Sequence, residues 1–113
     1  MKVLVCGGRS YTDLENVRRV LDEVHKNTPI TQIIEGGARG ADALGKEWAR
    51  DNNIPVFTVR ADWEAYGKSA SYIRNKLLLK KQPNMVVAFP GGVGTQNMIS
   101  LAQKSEIDVV LGE

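Results

Sequence analysis

The sequence predicts an α/β fold: a Rossmann-like, doubly wound parallel sheet of five strands with four helices in three layers. Three observations carry that prediction. Short apolar runs without polar alternation recur along the chain, the pattern of strands buried on both faces. Each run but the last leads to a segment with apolar residues at helical spacing. Pro29, Pro55 and Pro83 each stand between a polar helix end and the next apolar run, where a proline stops a helix without damaging a sheet. Strict alternation of strand and helix requires crossover connections, which are right-handed and cover both faces of a parallel sheet.

The elements follow in order. Val3 to Cys6 form the first strand, ending at Gly7 and Gly8. Thr12 and Glu15 stand in capping-box spacing ahead of Leu14, Val17, Leu21 and Val24, a first helix closing near His25 and Lys26. His25 in that last turn suits the helix dipole and is given no catalytic part. Ile33 and Ile34 make the second strand, Gly36 to Gly40 a loop, and Ala41, Leu44 and Trp48 the apolar stripe of the second helix. Val56 to Val59 are the third strand. A longer connection with Trp63, Tyr66 and Gly67 reaches a helix from about Ser69 to Lys81, with Ile73 and Leu77 facing inward. Met85 to Phe89 form the fourth strand. Thr95, Met98, Ile99 and Ala102 mark the last helix, and Ile107 to Leu111 the fifth strand. Leu77, Leu78 and Leu79 are consecutive and so spread beyond one helical stripe, which predicts an oligomer contact on that helix.

The 113 residues, 42% hydrophobic and 25% charged, fit one domain spanning 1–113. A net charge of +2 arises from 15 basic and 13 acidic residues that are interspersed, so nucleic acid is not the expected partner. One cysteine and one histidine provide no intramolecular disulfide and no zinc cluster. No metal or cofactor is expected, and the chain reads as cytoplasmic. The four apolar residues between Lys2 and Gly7 are too few for a signal-peptide core or a membrane span.

In doubly wound sheets the ligand lies beyond the carboxyl ends of the strands, where the strand order reverses. The loops after strands one, two and four are all glycine-rich. Pro90-Gly91-Gly92-Val93-Gly94-Thr95 joins a buried strand to a helix start, so backbone N–H groups and the positive end of the dipole converge, and a phosphate is the natural occupant. Neither the GxxxxGK[ST] nor the GxGxxG spacing is present, which removes the main support for an ATPase or an ordinary dehydrogenase. In Glu35-Gly36-Gly37-Ala38-Arg39-Gly40-Ala41-Asp42, Asp42 sits in the first helical turn, where it either caps the helix or accepts hydrogen bonds from ribose hydroxyls. Gly7, Gly8, Arg9 and Tyr11 form the third loop. There Arg9 either pairs with phosphate or lies exposed beside a turn, and Tyr11 can stack on a base or ribose. Cys6 reads as a buried strand end and not a nucleophile. Arg74 and Asn75 adjoin the core-facing Ile73, so Arg74 needs a partner, either a ligand phosphate or a carboxylate of the fold.

Taken together, GGRSYTD, EGGARGADALGKEWA, YGKSASYIRN and FPGGVGTQNMISLA resemble the small SLOG proteins related to YspA and YpsA, over essentially the whole chain. The resemblance implies a Rossmann-like fold and a nucleotide or nucleotide-derived ligand. Relatives of that superfamily include the LOG phosphoribohydrolases, which cleave a base from a nucleoside monophosphate, and proteins of DNA uptake. LOG enzymes carry PGGxGTxxE, and Met98 stands at the position of that glutamate. Methionine can neither exchange a proton nor stabilise an oxocarbenium ion, so their mechanism does not carry over intact.

The sequence therefore points first to a binding protein, a sensor or sequestering sponge for a mononucleotide, cyclic nucleotide or ADP-ribose derivative. In that reading Gly91, Gly92, Gly94 and Thr95 hold phosphate, Arg9 and Arg74 add charge, and Asp42 reads ribose. The alternative is an N-glycosidic hydrolase of nucleotides using Glu35 or Asp42 as the carboxylate beside the sugar. A nucleic-acid-associated protein is the third.

Overall fold

The computed structural model describes residues 1–113 throughout. Five strands form one sheet: β1 (Lys2–Cys6), β2 (Gln32–Glu35), β3 (Val56–Thr58), β4 (Met85–Ala88) and β5 (Asp108–Leu111). All pairings are parallel, in the order β3-β2-β1-β4-β5. Val3 lies between Ile33 and Met85, and Leu4 between Ile34 and Val86. The order reverses between β1 and β4, so the crevice of the fold opens above the ends of those two strands.

Four long helices connect the strands: α1 (Leu14–Asn27), α2 (Ala41–Asp51), α4 (Ala70–Leu79) and α5 (Val93–Lys104). Between β3 and α4 lies one further turn, α3 (Trp63–Tyr66), running into a 3-10 turn at Gly67–Ser69. Alternation along each strand divides the core. Val3, Val5, Ile33 and Val87 pack with Val17, Leu21 and Trp48 from α1 and α2. Leu4, Ile34 and Val86 pack with Leu78, Met98 and Ala102 from α4 and α5 on the opposite face. Each such buried aliphatic side chain contributes about 1.5–3 kcal/mol. Trp48 Nε1 donates to Asp22 Oδ1 at 2.8 Å, which ties α2 to α1 without leaving the indole N–H unpaired.

The structure corrects two local expectations and gives His25, in the last turn of α1 as expected, a structural partner. The cap of α1 is Asp13, whose carboxylate accepts the Asn16 N–H at 3.0 Å, while Thr12 offers only its carbonyl, to Leu14. His25 closes the loop into β2: its Nδ1 accepts the Ile30 N–H at 2.8 Å and its ring meets Trp48 edge-on. Of the three leucines on α4, Leu78 is buried at 2% exposure and Leu79 packs partly on the same core, because the sheet and α5 close over both. Only Leu77 faces solvent, at 42%, and Ile73 joins neither core cluster, so the inner face of α4 is Ala70, Asn75 and Leu78 and not the Ile73 and Leu77 stripe expected to face inward. No helix is long and apolar enough to cross a membrane.

Candidate functional site

Gly8 draws the three glycine-rich loops together. Its N–H donates to Pro90 O at 2.9 Å, and its carbonyl accepts from Tyr11 N at 3.2 Å and Ala41 N at 3.1 Å. Gly40 begins α2 at φ 76°, and a Cβ there would collide with the Gly8 carbonyl, so the crossing requires glycine at position 40. Above the joint opens a cavity of about 380 Å³. Gly7, Gly8, Arg9, Gly36, Ala38, Asp42, Arg74, Asn75, Gly92, Gly94 and Thr95, all predicted from sequence, line it.

On the β4 side, Gly92 caps α5 with no side-chain hydrogen bond, and Gln96 N donates to the Gly92 carbonyl at 3.1 Å. The N–H groups of Gly91, Gly92, Val93, Gly94 and Thr95 donate to no acceptor in the protein. A 12-residue helix thus presents the positive end of its dipole at the cavity, with the buried Thr95 in its first turn.

The β2 loop is arranged differently. Asp42 Oδ2 accepts the N–H groups of Gly36 at 3.1 Å and Ala38 at 3.3 Å, and Glu35 Oε1 accepts that of Gly37 at 2.9 Å. The loop's own carboxylates occupy these amides, so of the three glycine-rich loops this one does not aim them at an anion, whereas the Gly7 and Arg9 N–H groups of the β1 loop and those of the β4 loop donate to no acceptor in the protein. The Ala41 N–H is likewise spent on Gly8, and its side chain lies in the core. Gly40 stands behind the cavity wall, as does Glu35, which is 1% exposed with Oε2 buried and unpartnered.

Asp42 is 5% exposed. Burial raises its carboxyl from 3.8 to about 6, against the lowering by the Ala38 and Gly36 amides and by Arg74. Burial also lowers the Arg74 guanidinium from its ordinary value, partly offset by Asp42. Arg74 Nη1 donates to Gly36 O at 2.8 Å and Nε to Asn75 Oδ1 at 3.3 Å. Asn75 Nδ2 in turn reaches Gly94 O at 3.1 Å and Asn97 Oδ1 at 3.0 Å. Arg74 and Asn75 therefore bridge the β2 loop to the start of α5. A side chain at Gly36 would displace this guanidinium, since an added Cβ would stand 2.5 Å from Arg74 Nη1. The Cys6 thiol is pushed up to about 12 by burial and by Asp42, which keeps it protonated and inert near neutrality.

Tyr11 does not face this cavity. Its ring stacks on Phe89 at 5.5 Å and its hydroxyl accepts from Asn16 Nδ2 at 2.8 Å, so packing and capping contacts occupy the ring expected to stack on a base. With Pro90 and Gly91 it borders a neighbouring hollow. Gly37 borders another, formed with Arg39, Arg60 and Trp63, none of which was expected to bind a ligand. The signal for Arg60 was positional: a residue just after β3 must lie beside the loop that follows β2. Ser71 and Val93, inside the YGKSASYIRN and PGGVGT stretches but not among the residues expected to bind, also line the main cavity. Met98 is fully buried in the α4–α5 core and does not line the cavity. No group of three histidine, cysteine or acidic side chains stands together in a metal-holding arrangement.

A family model described as YspA, cpYpsA-related SLOG family matches residues 1–66, more than half the chain. The chain belongs to that family. This SLOG protein is 37% identical to the Gene 61 protein of Mycobacterium phage D29 over 117 residues, covering 96% of this chain and 94% of the phage protein. The DNA processing protein A (DprA) of Streptococcus pneumoniae has the same fold, with a TM-score of 0.79 at 17% identity over 97% of the SLOG chain. The SLOG chain spans about half of DprA, 49% of its length.

Proposed function

We propose that this SLOG protein binds a nucleotide or nucleotide-derived signalling molecule, of mononucleotide, cyclic nucleotide or ADP-ribose type, as a cytoplasmic sensor or sequestering protein. The observation that carries this reading is the unpaired first turn of α5 opening on the cavity. Free N–H donors at a helix start favour an anion by about 0.3–1 kcal/mol at an exposed site and up to about 2 kcal/mol when partly buried. Arg74 adds a guanidinium on the same cavity. Asp42 Oδ2 is engaged by the loop amides, but Oδ1 takes no hydrogen bond within the chain and suits a ribose hydroxyl. Calorimetry with the 5′-mononucleotides, their cyclic forms and ADP-ribose tests the reading, and heat-silent titrations throughout would remove it.

A second reading, an N-glycosidic hydrolase of nucleotides, is favoured by Asp42 itself. A carboxyl held at about 6 on the wall of a ligand-sized cavity is poised to exchange a proton near neutral pH. Incubation with nucleoside monophosphates, followed by chromatography, decides between the two. Free base released by the wild type and not by Asp42→Asn supports hydrolysis; intact nucleotide at high protein concentration supports holding alone.

A further inference from the structure

Beside the main cavity, and sharing Arg9, Gly36, Ala38 and Arg74 with it, lies an annex of about 280 Å³. Arg39, Arg60 and Trp63 complete its wall. Four guanidinium-bearing residues therefore surround one small hollow. The protein contains a single ion pair within 4.0 Å, Arg18 with Asp51, so none of the four is neutralised by a carboxylate at that distance. Two of them are fixed: Arg60 Nη1 donates to Gly37 O at 3.1 Å, and Arg74 Nη1 to Gly36 O at 2.8 Å. Arg9 lies over the Trp63 ring, 4.8 Å from its centroid, which holds its charge at the junction of the two cavities. Arg39 makes no hydrogen bond within the protein. Four like charges around a hollow repel one another, and an anion with several oxygens converts that repulsion into paired, charge-assisted hydrogen bonds.

Resting on the nucleotide reading above, we propose that this annex is a second phosphate subsite, so that the ligand carries one phosphate at the start of α5 and another among Arg9, Arg39 and Arg60. A single phosphate would leave one of the two basic sites empty. A second phosphate attached through a pyrophosphate link or to the sugar satisfies both. All four cations line one small hollow, which suits a compact ligand. Trp63 acts through Arg9 and is a positioning residue.

The experiment compares nucleoside 5′-monophosphates, 5′-diphosphates and 3′,5′-bisphosphates of adenine, guanine, cytosine and uracil by calorimetry, on the wild type, Arg39→Ala and Arg60→Ala. The 5′-diphosphate or the 3′,5′-bisphosphate of the preferred base is expected to bind about tenfold tighter than its monophosphate, and the better of the two shows where the second phosphate is attached. In the arginine variants that ratio falls toward one while the monophosphate still binds. Arg39→Ala serves if Arg60→Ala disturbs the β2 loop, since the Arg60 side chain donates to Gly37 O and the Arg39 side chain makes no hydrogen bond within the protein. A ratio near one in the wild type, or a ratio that survives both substitutions, overturns the annex and leaves the nucleotide reading intact. No binding by any probe overturns both. Tighter binding of a mixed-base single-stranded DNA than of any nucleotide overturns the compact ligand in favour of a strand.

Discussion

Asparagine at position 42 isolates the energetic consequence of burying a carboxylate beneath the β2 loop. In the unfolded chain this carboxyl titrates near 3.8, and in the fold at about 6. The folded state therefore holds the proton more tightly. Stability from this group is fully present below pH 3.8 and is lost as pH rises through 6. At about 1.4 kcal/mol for each pH unit, a displacement from 3.8 to about 6 corresponds to about 3 kcal/mol. Above neutrality the ionised Asp42 thus weakens the fold by that order. Asparagine retains an oxygen to accept the Gly36 and Ala38 amides but carries no charge to desolvate. Asp42→Asn is expected to gain up to about 3 kcal/mol over the wild type at pH 7.5 and to converge with it near pH 4. Urea unfolding followed by circular dichroism across this range is the assay. A variant no more stable than the wild type at pH 7.5 would refute the reasoning, because the two amides would then stabilise the anion more than burial disfavours it.

Four other outcomes are expected. Gly94→Ala places a methyl in open space within the first turn of α5, so helix stability should rise by about 0.5–1 kcal/mol while nucleotide affinity falls; unchanged affinity would place the phosphate elsewhere. Gly40→Ala must accept φ 76° and a collision with the Gly8 carbonyl, and a loss of at least about 2 kcal/mol in urea unfolding is expected. The oligomer contact proposed for α4 now rests on Leu77. Leu77→Asp should lower the sedimentation mass if that face self-associates, and equal monomeric masses for variant and wild type would end the proposal. Binding to single-stranded DNA should be weak and fall steeply with salt, as measured by fluorescence anisotropy; tight, salt-insensitive binding would contradict this.

The sheet was legible because each inner strand is centred on an apolar run, Val3 to Cys6, Ile33 with Ile34, and Met85 to Ala88, followed within two residues by glycine or proline. The alternation of exposed and buried positions that strands on a solvated face would show is missing from β1, β2 and β4. The one-turn α3 was not legible, since four residues carry no periodicity; its trace was Asp62, whose carboxylate caps the Ala65 N–H. Asp13 was hidden by the neighbouring Thr12, an equally good capping residue one position too early. In the site, the glycine loops and Arg74 were visible as motifs, but the use of each backbone amide was not. That Asp42 and Glu35 absorb the donors of their own loop depends on a local turn no pattern encodes. The arginine-lined annex escaped for a related reason: Arg9, Arg39, Arg60 and Arg74 come from four separate segments, and strand order alone brings them together.

The joint at Gly8 has a consequence for how the crevice receives a guest. One residue fastens itself to Pro90 on one side and to Ala41 on the other, so the walls contributed by separate crossovers are pinned to a common post. They cannot swing apart without breaking main-chain bonds. Selection of a guest is then a matter of fit to a mould already cast, so association should be quick and departure should set the residence time. Amide exchange at Gly8, Tyr11 and Ala41 would accordingly be slow even with the crevice vacant.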